Sequence, residues 1–201
     1  MPYKRTGLAV MRIQPLHKGH TALINQMIQD CDTVVIGLGS SQKSREKHDP
    51  YTVEERIQML RNVYADRIKI VPLKDIGLVN VTDEWVLYIF DKLKKLGLPE
   101  PTDYYSGSHA DASWYKSHFW YDGVVSPKQC FQVDGKCMVP RILHIMDRQK
   151  NIYPAATELR TFLETRTDGW KEWIPAVNHS LVQGSYPEEF KIACPEEFKI
   201  G

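Results

Sequence analysis

The chain has 201 residues, 25% of them charged and 42% hydrophobic, with a formal net charge of +1. That length suits a single domain with a full core. The near-neutral balance argues against a global field that recruits nucleic acid or a membrane surface, so any anion site must be local. The start, Met1-Pro2-Tyr3-Lys4-Arg5, is polar, and no apolar run approaches the ~20 residues that span a bilayer, so a soluble, cytoplasmic protein is expected. Cys31, Cys130, Cys137 and Cys194 are scattered and form no Cys-x-x-Cys pair, which favours free thiols over zinc or redox chemistry.

Gly7-Leu8-Ala9-Val10-Met11 reads as a short buried strand. Beyond Pro15 the spacing turns helical, with Leu23, Ile24, Met27 and Ile28 on one face. Val34–Leu38 is a second strand, apolar throughout and therefore covered on both sides. Thr52, followed by Glu54 and Glu55, opens a second helix as a capping residue with acidic groups in the first turn. Ile68–Leu73 reads as the third strand, Asp83–Leu96 as a helix with Gly97 as its C-cap, and Asp103–Gly107 as a fourth strand with a tight turn. Strands alternating with helices predict an α/β fold, a doubly wound parallel sheet.

From Tyr121 to Lys150 the pattern is irregular. Cys130–Val139 suggests a hairpin around Asp134-Gly135, and 127–150 is expected to be an insertion. Helical character returns at Ala156–Glu164 and in a shorter piece from Trp170 to Val182. The domain is expected over 1–182, with a small helical region at its C-terminal end and a tail over 183–201. That tail repeats Pro187-Glu188-Glu189-Phe190-Lys191-Ile192 as Pro195-Glu196-Glu197-Phe198-Lys199-Ile200, and reads as exposed and frayed.

The chemistry gathers first at His17-Lys18-Gly19-His20, where strand gives way to helix. Backbone N–H groups at a helix start attract phosphate, and open α/β sheets bind nucleotides at such junctions. Gly19 allows close approach of the backbone to a phosphate. His17 and His20, three apart, face the same side of a first helical turn. A single histidine here would be a cap or a wall residue; two flanking a glycine point to phosphate handling. The Gly39–Arg45 loop, with its hydroxyls and cations, suits a phosphate but also an ordinary polar connection. Glu54, Glu55 and Arg56 read as an exposed first turn without a catalytic role. Arg160 belongs near the start of a helix, where it is either solvated or a charge for a polyphosphate. Trp114, Trp120, Trp170 and Trp173 read as packing residues.

Arg12-x-Gln14-Pro15-x-His17-x-Gly19-His20 resembles the opening of the archaeal-type nicotinamide mononucleotide adenylyltransferases, members of the nucleotidylyltransferase superfamily. Gly39-Ser40-Ser41-Gln42-x-Ser44, Asp49-Pro50-Tyr51-Thr52-x-x-Glu55-Arg56, Tyr105-Ser106-Gly107 and Thr157-Glu158-x-Arg160 extend the resemblance over most of 7–182. The same type also forms the front half of certain bacterial proteins fused to a Nudix hydrolase; no Glu-rich Nudix box is present here.

The resemblance implies a Rossmann-like sheet of the nucleotidylyltransferase type and adenylyl transfer from ATP to nicotinamide mononucleotide, giving NAD and pyrophosphate. It implies His17, His20 and Arg160 as the catalytic set, and Arg12, Gln14, Lys18, Gly19, Gly107 and Thr157 around ATP. Ser40, Gln42, Asn80 and Trp85 would hold the mononucleotide, Trp85 stacking on the pyridinium unless it is a core aromatic. Mg2+ would arrive on the ATP phosphates without dedicated protein ligands, and homo-oligomers occur among the related proteins. Three positions depart from the pattern: Ala155 replaces a serine, His48 an arginine and Met11 a glycine. Other phosphorylated acceptors, or a nucleotide sensor without turnover, are the rival readings.

Overall fold

The computed structural model describes residues 3–77, 82–119, 121–122, 131–133, 136–146 and 153–192. Strand β1 (Thr6–Met11) leads to helix α1 (Lys18–Asp30), β2 (Thr33–Leu38), α2 (Val53–Tyr64), β3 (Lys69–Pro72) and α3 (Thr82–Lys95). Then come β4 (Asp103–Ser106), α4 (His109–Ala112), β5 (Tyr121–Asp122), β6 (Phe131–Val133), β7 (Lys136–Met138) and β8 (Ile142–Ile145). Helices α5 (Ala156–Glu164) and α6 (His179–Ser185) follow.

The main sheet runs β3-β2-β1-β4-β8-β5 with every pairing parallel. The chain steps outward from β1 to β3 and returns on the other side at β4, which makes the β1/β4 boundary a switch point. Two apolar clusters cover the two faces. Ala9, Val34 and Ile36 meet α1 and α2 through Ile24, Met27, Met59 and Leu60, while Leu8, Val35 and Val71 meet α3 through Val86, Ile89 and Leu93. Neighbouring residues of one strand serve opposite faces, so the strands read as continuous apolar runs.

The caps expected from the sequence are present. Thr52 Oγ1 accepts the Glu55 N–H while Glu55 accepts the Thr52 N–H at 2.8 Å. After α3, Gly97 takes φ +67°, and Gly97 and Leu98 return N–H groups to the Lys94 and Leu93 carbonyls at 3.0 Å each. This is a Schellman ending that needs the left-handed residue.

Two boundaries differ from expectation. The segment 127–150 contains β8, which lies between β4 and β5 in the main sheet, so its last part is scaffold and not insertion. The strand was hidden because His144 breaks its apolar run. In the fold that imidazole stacks on Tyr105 at 4.2 Å, and its Nε2 lies 2.8 Å from the buried Asp103 carboxylate, which Arg5 also engages. The antiparallel pairing of β6 with β7 agrees with the expected hairpin; its Asp134-Gly135 turn lies outside the described residues.

The tail does not begin at 183. Helix α6 continues to Ser185, Tyr186 is buried in the α1/α2-side cluster, and Phe190 packs against that cluster. The Ile192 N–H reaches the Glu164 carbonyl at 2.8 Å. The first hexapeptide is therefore docked, and the second lies outside the described residues. Tyr186→Ala should lower the unfolding free energy by about 3 kcal/mol in urea titrations, whereas Ile192→Ala, at an exposed position, should change it by less than about 0.5 kcal/mol.

Candidate active site

Helix α1 starts on its own histidines. His17 is the N-cap in extended conformation, its Nδ1 accepting the Gly19 N–H at 3.1 Å. The His17 N–H in turn reaches His20 Nδ1 at 3.4 Å, and the two rings lie 3.7 Å apart. Main-chain N–H groups can only donate, so both Nδ1 atoms are acceptors and each neutral ring carries its proton on Nε2. The arrangement yields two imidazole donors with no mutual charge repulsion. A Cβ on Gly19 would stand 3.0 Å from the His17 ring and 3.2 Å from Tyr153 Cβ, so a side chain there would press on the His17 ring over the helix start.

These histidines open onto a cavity of 910 Å³ at the β1/β4 switch point. Arg12, Gln14, Gly19, Ser40, Trp85, Gly107, Thr157 and Arg160 line it with them. Two expected residues do not. Lys18 extends over the Trp173 ring, 5.6 Å from its centroid, and Gln42 spends its amide on Asp75. Asn80 lies outside the described residues.

Several lining side chains are already engaged. Gln14 is buried, and its amide makes a two-way bond with the Tyr51 main chain, donating at 3.1 Å and accepting at 2.9 Å. Arg160 donates to the Gln14 carbonyl at 2.9 Å and to Thr157 Oγ1 at 3.1 Å. Burial is the chief cause that lowers its pKa, yet a guanidinium remains charged at any physiological pH. Ala155 is the N-cap of α5 and supplies no side-chain acceptor, while Ala155, Ala156 and Thr157 all line the cavity. The start of α5 therefore presents its dipole to the same space as the histidines.

Trp85 serves core and cavity together. Its Nε1 donates to Tyr115 Oη at 2.9 Å, it stacks beside Tyr88, and its ring still lines the cavity. Among the tryptophans read as packing residues, Trp170 is buried, but Trp114 is 42% exposed and lines the cavity. It sits on the 3-10 turn Ser113–Tyr115, whose inward position is taken by Tyr115. Trp120 lies outside the described residues.

Asp75, just beyond β3, gave no sequence signal and proves to be a hub. It accepts from Ser40 Oγ at 3.0 Å and Gln42 Nε2 at 2.8 Å, and Lys43 Nζ stands 3.6 Å away. Arg56 was expected on an exposed turn. It is fully buried, donating to the carbonyls of Arg12 and Gly39 at 3.0 and 2.9 Å and to those of Ser40 and Lys43 at 3.2 and 3.4 Å. One guanidinium thus binds the loop after β1 to the loop after β2. Among the described residues no cluster of three or more His, Cys, Asp or Glu could hold a metal, and no helix is long and apolar enough to cross a membrane.

Residues 12–123 match the cytidylyltransferase-like family, and the chain belongs to it. More narrowly, it is similar to the nicotinamide-nucleotide adenylyltransferase of Methanospirillum hungatei, 42% identical over 74 residues, which are 35% of this chain and 42% of that protein. Among solved structures it resembles the NadR protein in complex with NAD and AMP-PNP, with a TM-score of 0.59 at 22% identity over 89% of this chain and 47% of that one. A bifunctional NMN adenylyltransferase/ADP ribose pyrophosphatase from Francisella tularensis, complexed with AMP and a manganese ion, gives 0.63 at 18% identity, covering 94% and 51%. The chain spans about half the length of these solved relatives, and the match covers less than half of the curated one. The structural likeness establishes the fold.

Arg56→Leu removes the guanidinium from those four carbonyls, of which the Ser40 carbonyl keeps the Lys43 N–H at 3.0 Å. A loss of at least about 3 kcal/mol of stability is expected, readable as a lowered denaturation midpoint, because stranded buried acceptors carry their full desolvation cost.

Proposed function

We propose that the chain transfers the adenylyl group of ATP to nicotinamide mononucleotide, producing NAD and pyrophosphate. The observation that carries this reading is the convergence of two Nε2–H imidazoles, Arg160 and the start of α5 on one cavity that Trp85 also lines. An oxygen of the mononucleotide phosphate attacks the ATP α-phosphorus in line. The bond from that phosphorus to the bridging oxygen breaks, and pyrophosphate leaves. The attacking phosphate is already ionised at neutral pH, so no general base is required.

The protein's task is to bring two anions together and to stabilise the charge that builds on the phosphates. His17 and His20 supply donors to the α- and β-phosphates without needing to be charged. Arg160 faces the β- and γ-phosphates together with the N–H groups of α5. Magnesium would come as part of the MgATP substrate, neutralising phosphate charge without dedicated protein ligands. The Trp85 indole offers a face for the cationic pyridinium. Relatives named nicotinamide-nucleotide adenylyltransferase support this choice of acceptor.

The test is pyrophosphate release from MgATP with and without the mononucleotide. Release that depends on the mononucleotide and yields NAD is expected, and His20→Ala should reduce it about 100-fold while the protein stays folded, its melting temperature lowered only by the lost cap on the His17 N–H. A folded protein that binds ATP but releases nothing would sink the reading. Near wild-type turnover by the His20 variant would remove the mechanism.

A further inference from the structure

Asp49 occupies an unusual setting for a carboxylate. It closes the loop that follows β2, and its side chain is only 3% exposed. Its Oδ1 is buried and accepts no hydrogen bond among the described residues. The ion-pair partner is Arg12 Nη1 at 3.7 Å, beyond hydrogen-bonding reach, on a side chain that is 60% exposed. Arg12 lines the cavity.

Two more guanidinium groups share this field. Burial lowers the pKa values of Arg56 and Arg160; the Asp49 charge opposes that shift in both, and the Arg12 charge adds to it. One buried carboxylate therefore stands among three arginines. Burying a carboxylate oxygen without a hydrogen bond is costly, and here the surrounding cations compensate the Asp49 Oδ1 through the field and not through a hydrogen bond. An incoming polyphosphate must compete with that carboxylate for the same cations.

We propose that Asp49 is a positioning residue that holds Arg12 at the cavity and competes with the polyphosphate for it. This rests on the adenylyl-transfer reading, in which a polyphosphate must bind firmly and pyrophosphate must still leave. Asp49 weakens anion binding enough to permit release. Arg56 and Arg160 are tied to main-chain carbonyls, whereas Arg12 has the exposure and the loose partner that allow it to exchange one anion for another.

The experiment is calorimetric titration of inorganic tripolyphosphate into the wild type, Asp49→Asn, Arg12→Ala and the double variant. Asp49→Asn should bind about tenfold more tightly, the size expected for unit charges on the order of 10 Å apart at an effective dielectric of about 20. The gain should shrink when Arg12 is absent. In turnover, the same variant should show a lower KM for ATP and a lower kcat, since pyrophosphate would leave more slowly. Binding no tighter than wild type, or an equal gain with and without Arg12, would overturn the proposal. Melting curves report on folding, and Asp49→Ser replaces Asp49→Asn if the latter does not fold. The titration needs no turnover, so a wild type that makes no NAD would remove the adenylyl-transfer reading and leave the anion test to decide on Asp49.

Discussion

The site depends on one buried charge. Arg56 has no exposure to solvent, and its guanidinium is satisfied almost wholly by main-chain carbonyls of the two loops that leave β1 and β2. A buried cation tolerates little displacement of its acceptors, since each lost bond exposes the cost of its desolvation. The two loops are consequently fixed to each other and to α2. Ser40 can then hold its left-handed φ of 48° with its hydroxyl on Asp75, which couples the end of β3 to the same frame. Flexible loops at strand ends become one rigid wall.

A second chain of bonds joins that wall to the far end of the sequence. Arg160 donates to the Gln14 carbonyl, the Gln14 amide grips the Tyr51 main chain, and Tyr51 Oη donates to the Val182 carbonyl at 3.0 Å. Residues from the loop after β1, the α2 approach, α5 and α6 thus share one connected network at the cavity wall. Arg45 adds a further tie, donating to the Pro50 carbonyl at 3.0 Å and the Ser185 carbonyl at 2.7 Å. The docked segment after Val182 accordingly belongs to the machinery that holds the site.

Much of this was legible in the sequence wherever a local pattern carries the physics. Strands β1 and β2 declared themselves because both faces are covered, which makes each a nearly unbroken apolar run, and β3 and β4 because β-branched and aromatic residues dominate them despite Lys69 and Asp103. Thr52 and Gly97 declared the ends of helices because capping is a short-range interaction. Strand β8 did not, since His144 makes sense only once Tyr105 and Asp103 stand beside it. Arg56 and Asp75 were equally silent. Their partners are main-chain carbonyls and side chains tens of residues away, and a charged residue near a helix start looks the same whether solvated or buried. The histidine pair was found, but its tautomers follow only from the bonds to the Gly19 and His17 N–H groups.

With a formal net charge of +1, the anion affinity proposed for this cavity has to be constructed locally. The construction relies on groups whose charge costs little to maintain. Two imidazoles with Nδ1 engaged by main-chain N–H groups keep their protons on Nε2, and the start of α5 contributes a dipole without an ion. Arg56 and Arg160 have their desolvation offset by carbonyls that the fold must place there in any case. Of these three arginines Arg12 is the exposed one, and it leans on a carboxylate. The balance of charge is therefore set at Arg12 and Asp49, while the remaining groups provide a fixed polar frame of the kind that stabilises charge without rearranging as it develops.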